Sequence, residues 1–216
     1  MEALTRDYSL DEIGKRLRGE GLTPHERILA VDDAARVQWV VGTVGELGWF
    51  DTIIDVGSSD GTIARRFLDM GRRVYLIEPH EAHREALARL GCWTFFGTAR
   101  QALYRMAWPS NGPDDRTLAY CGEVLEHLSQ DDGYEITMRL HARCASRLIV
   151  TVPNCHSATY DQQGRGRWDW PDHKRTFTAE SLLAWLTKSF WNVERIDPIV
   201  GTLEDSIWLG AVCRRV

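Results

Sequence analysis

The sequence predicts an α/β chain: a doubly wound sheet, mostly parallel, with an antiparallel strand near the C-terminus and helices ahead of it. Three observations predict it. From residue 51 onward, short β-rich apolar runs alternate with helical patterns over short connections, the mark of a parallel sheet covered on both faces. The first run, Ile53-Ile54-Asp55-Val56, ends in the turn Gly57-Ser58-Ser59-Asp60-Gly61 and passes directly into a helical pattern. Such a strand–loop–helix unit lets the backbone come close to a ligand. The last two β-rich runs, 193–200 and 207–214, are joined by only a few residues, which suits an antiparallel pair.

The elements follow in order. Ser9-Leu10-Asp11-Glu12 is a capping box that opens a first helix, expected to stop near Gly19 or Gly21. Thr23-Pro24-His25-Glu26 is a second capping box with proline at the first helical position. The apolar spacing Ile28, Val31, Ala35, Trp39, Val40, Val44, Leu47 then carries a long helix to Gly48. Strands are expected at 52–56, 74–77, 92–96, 117–121 and 147–152. Between them, helices are expected after Gly61, from Pro79 or His80 to Gly91, from Gly97 to about Ala107, and from Tyr134 to Cys144, with a turn-rich loop at 109–115. Thr178 caps a further helix that runs to Lys188. The chain therefore divides into an N-terminal helical extension, 1–49, and one domain, 50–216. A loop at about 155–177 is too long for a plain connection and holds His156, Tyr160, Arg165, Arg167, Trp168, Trp170 and His173. Aromatic and basic loops of this length form lids or acceptor pockets.

Composition narrows the class. With 216 residues, 44% hydrophobic and 26% charged, the chain reads as an ordinary globular protein with a substantial core. No apolar run reaches the length of a membrane span, and the start (Glu2, Asp7, Asp11) is too acidic for a usual signal peptide. Five dispersed cysteines form no CxxC pair, so reduced thiols and a cytoplasmic location are expected. A net charge of −5 disfavours generalised binding to nucleic-acid phosphates.

Seventeen residues after Gly61, the second strand ends in Glu78. An acid about 20 residues past a glycine loop, at the tip of the neighbouring strand, is placed to bind a ribose diol. The loop lacks G-x-G-x-x-G, which disfavours a nicotinamide or flavin pyrophosphate cradle and with it a nicotinamide-dependent oxidoreductase. Asp55 and Asp60 suit a ligand end carrying an ammonium better than one carrying phosphates. A nucleoside with an amino-acid tail and no phosphate is S-adenosylmethionine. On the acid-x-G-x-x-x-G loop and the acid ending the second strand, residues 50–214 resemble the Rossmann-like class I S-adenosylmethionine-dependent methyltransferases.

The resemblance implies a set of cofactor residues. Asp55, Gly57, Ser58, Ser59 and Gly61 would hold the methionine end, and Glu78 with Pro79 the ribose. Gly97 and Thr98 would lie along the adenine, with Gly122 and Glu123 at the end of the fourth strand. The acid that often follows the third strand in this family is absent, leaving backbone or Gln101 to replace it. Glu123-Val124-Leu125-Glu126-His127-Leu128 resembles the E-V-L-E-H-L signature of small-molecule and lipid methyltransferases, and Val152-Pro153-Asn154 resembles their T-P-N turn. His127 suits a general base for an acceptor hydroxyl, and His173 the acceptor site. Alternatively, Glu126 and His127 only orient the loop. The expected activity is O-methylation of a small molecule, lipid or glycan precursor. A second reading stays open: Glu123, Glu126, His127 and His173 resemble the metal site of the small-RNA 3′-end 2′-O-methyltransferases, which would add a divalent metal and an RNA partner. A third is a non-catalytic cofactor-binding or assembly subunit.

Overall fold

In the computed structural model, residues 24–48, 50–105, 114–154, 173–203 and 206–216 are described. The expected first helix and most of the expected acceptor loop lie outside them. Seven strands form one sheet in the order β3-β2-β1-β4-β5-β7-β6. These are β1 Thr52–Val56, β2 Arg73–Glu78, β3 Trp93–Phe96, β4 Asp114–Gly122, β5 Ala145–Pro153, β6 Trp191–Pro198 and β7 Trp208–Arg215. The first five run parallel, and β7 lies antiparallel between β5 and β6. This is the mostly parallel, doubly wound sheet that the alternation predicts. Every residue of β1 is buried, as expected for a strand covered on both faces.

Six helices cover the described sheet: α1 Pro24–Glu46, α2 Thr62–Asp69, α3 Arg84–Ala88, α4 Ala99–Arg105, α5 Gln130–Arg139 and α6 Ala179–Lys188. Ile63, Ala64 and Phe67 of α2 join Ile53, Leu76 and Tyr120 in an apolar cluster on one face. Val40 and Val44 of α1 sit in the same cluster. The other face buries Ala102, Leu103, Ile136, Leu182 and Leu186 against Ile54, Ile77, Leu148 and Val150.

Several boundaries depart from the sequence expectation. Instead of one helix from 79 to 91, a 3-10 turn at Glu81–His83 leads into the five-residue α3. Glu78 Oε1 accepts the His80 amide at 2.8 Å, which holds the chain extended before the helix can begin. α5 starts four residues before Tyr134, because Ser129 caps it by accepting the Asp132 amide and acids fill its first turn. It widens at its end into a π-turn, Leu140–Cys144. β4 starts at Asp114, within what reads as loop, with an irregular register before Leu118.

Helix α1 is fixed across the sheet by its tryptophan. The Trp39 ring lies on Gly210 of β7, where an added Cβ would meet ring carbons at 2.4 to 2.6 Å. Trp39 Nε1 donates to Asp197 of β6 at 3.3 Å, and Arg195 of β6 pairs with Glu46 at 2.9 Å. Gly210→Ala is expected to push the ring off its seat and destabilise the protein by about 1–3 kcal/mol, read from urea unfolding. An unchanged midpoint would show that α1 is not anchored there.

Candidate functional site

The strand order reverses at β1, whose neighbours are β2 on one side and β4 on the other. In open parallel sheets the crevice beyond the carboxyl ends at such a point takes the ligand. A cleft of about 720 Å³ lies there. Of the residues singled out from the sequence, Asp55, Gly57, Ser58, Ser59, Glu78, Pro79, Thr98, Gly122, Glu123 and His127 line it. Gly61 sits behind the loop and Gly97 behind Thr98, while His173 lies beside His127.

The loop after β1 is tied to β2. The Gly57 and Ser58 amides both donate to Ile77 O, at 2.8 and 3.2 Å, and Ser58 Oγ donates to Asp55 O at 3.1 Å. Gly57 has φ 77°, and a Cβ there would meet Val124 Cγ2 at 2.3 Å, so only glycine lets Val124 close against the loop. Ser59, at φ 49°, turns its amide onto Glu78 Oε2 at 2.7 Å. Glu78 thus receives one backbone amide on each oxygen and keeps acceptor capacity on both. Asp60 caps α2 by accepting the Thr62 amide at 3.0 Å, so of the two loop acids only Asp55 is buried. Thr98 and Gln101 bond reciprocally at the start of α4, which commits the Gln101 carbonyl oxygen to the Thr98 amide.

Asp55 is 1% exposed, and neither carboxylate oxygen has a hydrogen-bond partner in the described structure. Burial, reinforced by the nearby charge of Glu78 and opposed by Arg36, pushes its carboxyl up to about 7. Glu123 stands in left-handed backbone at φ 56°, held by its amide on Thr151 O at 2.9 Å. Burial of its carboxyl end raises it to about 7, against Arg36 and a hydrogen bond from Thr151. Glu126, 1% exposed, is pushed well up by burial and by Glu123.

Two residues join this site that sequence reasoning missed, Arg36 and Tyr120. Arg36 donates to Tyr120 Oη at 3.0 Å and pairs with Asp33 at 2.6 Å. Burial works against its charge, but Tyr120, Glu123 and Asp33 outweigh that and hold the guanidinium above its ordinary range. The signal was present in the sequence: Arg36 precedes Val40 and Val44 by one and two steps of four, a charge set in the buried stripe of α1. Tyr120 lies over Gly122, where a Cβ would meet its hydroxyl.

The turn after β4 carries the remaining chemistry. A 3-10 turn, Leu125–His127, points Glu126 inward. The amides of Lys174 and Arg175 donate to Glu126 O, at 2.7 and 3.2 Å, and Arg175 Nε donates to Leu128 O at 3.1 Å. Arg175 also stacks over Trp185 at 4.4 Å. These contacts bring His173 edge-on to His127, with ring centroids 4.7 Å apart. One ligand atom each from Glu126, His127 and His173 falls within 4.8 Å of the others, a spacing that a cation could bridge. Glu123 stays outside that group, under the influence of Arg36 and Thr151. Arg165, Arg167, Trp168 and Trp170 of the expected acceptor loop lie outside the described residues.

No family model and no curated protein matches the chain. Solved structures do match in fold. The small RNA methyltransferase HEN1 superposes with a TM-score of 0.62 at 20% identity over 85% of this chain, which spans 25% of that longer one. The methyltransferase domain of a bacterial Hen1 gives 0.65 at 18% identity, covering 84% of this chain and 98% of that domain. Magnesium protoporphyrin IX methyltransferase from Synechocystis PCC 6803, solved with bound S-adenosylhomocysteine, gives 0.66 at 16% identity, covering 95% and 94%. The fold is that of the class I methyltransferases.

Asp55 gives the site a pH signature. Its folded pKa lies above the unfolded value, so its stabilising effect is complete below about pH 4 and is lost as pH rises through about 7. Asp55→Asn, neutral throughout, should raise the Tm of the ligand-free protein at about pH 8 by several degrees, at roughly 2–4 °C per kcal/mol. The gain should fade toward pH 5; a gain constant with pH would argue against a buried, unpaired carboxyl.

Proposed function

We propose that this chain, built on the class I methyltransferase fold, is an S-adenosylmethionine-dependent methyltransferase acting on an oxygen of a small molecule, lipid or glycan precursor. One observation carries the reading. A buried carboxylate without a partner, Asp55, shares a single cleft with Glu78, which retains acceptor capacity on both oxygens. That pair of acceptors suits an ammonium at one end and a ribose diol at the other.

In this reading Asp55 meets the ammonium, with Gly57, Ser58 and Ser59 against the methionine tail and Gly61 turning the chain away. Glu78, with Pro79 beside it, accepts from the ribose hydroxyls; Gly97 and Thr98 flank the adenine. Gly122 and Glu123 form the floor toward the acceptor. The bound cofactor supplies a methyl group on a sulfonium, a carbon that needs little beyond in-line positioning to be attacked. His127, in the cleft lining, takes the proton of the acceptor hydroxyl as the new O–C bond forms and the S–C bond breaks, leaving S-adenosylhomocysteine, and His173 beside it holds the acceptor. The net charge of −5 favours a small acceptor over a polyphosphate one.

A second reading is favoured by the Glu126, His127 and His173 group: a metal-dependent RNA 2′-O-methyltransferase. In it Glu126, His127 and His173 would hold a divalent ion, which would supply Lewis-acid activation of an acceptor hydroxyl; the likeness to HEN1 in fold supports it. Calorimetric titration with S-adenosylhomocysteine, with and without chelator, tests the first reading. Micromolar affinity unaffected by chelator is expected, together with loss of binding in Asp55→Ala at unchanged folding. Intact affinity in that variant would sink the cofactor assignment. Methyl transfer that stops with chelator and returns with a divalent metal would move the assignment to the second reading. His127→Ala should lower kcat about 10²- to 10⁴-fold if His127 is the base, while leaving S-adenosylhomocysteine affinity unchanged.

A further inference from the structure

The amino-acid tail of S-adenosylmethionine is a zwitterion, and Asp55 answers only its ammonium. A carboxylate carried into the same crevice needs a cation beside Asp55, shielded from water and with N–H groups to spare. Among the described residues that line the cleft, the lysine and arginine cations are Lys174 and Arg36. Lys174 is exposed, and its backbone is fastened to the turn that carries Glu126, on the His127 side. Arg36 lies with Tyr120 and Glu123. Its side chain is only 15% exposed, and both Asp55 and Glu123 feel its charge.

The guanidinium is fixed and only partly used. Its Nε and Nη2 donate to Asp33 Oδ1, at 3.2 and 2.6 Å, and its Nη1 donates to Tyr120 Oη at 3.0 Å. A guanidinium has five N–H groups; those bonds take three, so two remain on the two terminal nitrogens. Tyr120 is itself held, by Thr151 Oγ1 at 3.2 Å and edge-on by Phe67. Trp208 lies 5.7 Å below the guanidinium carbon. A planar fork with two donors left over, preorganised by neighbours and set near Asp55, has the form that a carboxylate accepts.

We propose that Arg36 is the carboxylate-binding residue of the cofactor site and makes it selective for ligands that keep an intact amino-acid tail. The proposal rests on the methyltransferase reading. It makes α1 part of the site: the tail is gripped between β1, through Asp55, and a helix anchored on β6 and β7. Glu123, which faces the same guanidinium, keeps the pocket from becoming a general anion site, because a ligand without an ammonium meets two acids there.

Two ligands separate the claim from its premise. S-adenosylhomocysteine and 5′-methylthioadenosine share the nucleoside and thioether, and only the first carries the amino-acid tail. The full chain should bind the first more tightly. Arg36→Met should lose roughly 10- to 100-fold in affinity for S-adenosylhomocysteine and stay within about twofold for 5′-methylthioadenosine. Arg36→Lys, which keeps the charge and loses the fork, should fall between and covers the case in which the methionine variant does not fold. Unchanged S-adenosylhomocysteine affinity in either variant overturns the proposal. So does a parallel loss of both ligands at unchanged Tm, which would mean that Arg36 shapes the pocket without touching the tail. If the unaltered chain binds neither ligand, the methyltransferase reading falls and this proposal with it. If it binds both equally, only this proposal falls.

Discussion

Three carboxylates, Asp55, Glu123 and Glu126, are carried into low-dielectric surroundings at the carboxyl ends of β1 and β4, and the Arg36 guanidinium is the counter-charge that acts on all of them. A buried ionised carboxylate without a partner costs several kcal/mol, so the acids are held partly protonated or are balanced by that one side chain. The arrangement explains why the helix ahead of the sheet is so firmly fastened. Trp39 on Gly210 and Arg195 on Glu46 do not touch the cleft, yet they fix the helix that delivers Arg36 to it. A surface helix held by apolar packing alone could fray; one that balances buried charge must stay in register.

Of the three non-glycine residues in left-handed backbone among those described, Ser59, Glu123 and Phe190, two are at the same place. Ser59 and Glu123 are non-glycine residues in left-handed backbone, and each faces the cleft from the end of its strand. In both, the strain is matched by a hydrogen bond of the residue's own amide: Ser59 to Glu78, Glu123 to Thr151. Strain of this kind costs of order 1–3 kcal/mol and persists where the surroundings over-determine the conformation. The neighbouring glycines serve steric ends. Gly57 admits Val124 and Gly122 admits the Tyr120 hydroxyl, so the cleft floor is made of side chains lying over bare backbone.

Much of this was legible in the sequence, and the reasons are local. A strand buried on both faces reads as an unbroken apolar run, which is why β1 and β5 stand out as Ile53-Ile54 and Leu148-Ile149-Val150. The glycine loop and Glu78 are also local signals, since both sit at strand ends whose order follows from alternation. What failed was of two kinds: side chains that bond nearby amides and so move a helix boundary, and contacts between distant segments. The stretch from 79 to 91 has helical composition, but Glu78 captures the His80 amide and shortens the helix to α3. α5 begins early because Ser129 and two acids start it before any apolar period is visible. Arg36 could not be assigned from its neighbours: its role exists only once α1 lies across the sheet and Tyr120 comes beneath it.

The seat of Trp39 on Gly210 has a consequence for how the protein comes to exist. α1 is synthesised before β1, whereas β7 follows every other strand of the sheet. On a ribosome the first five strands can emerge and pair in parallel while the tryptophan has nowhere to go. Arg36 finds Asp33 on its own helix and Tyr120 on β4, but the Trp208 ring beside it and the Gly210 seat of α1 arrive only with β7. A nascent chain short of that point would carry its one counter-charge on a helix without its anchor. The last strand to be synthesised thus supplies the last support of the site.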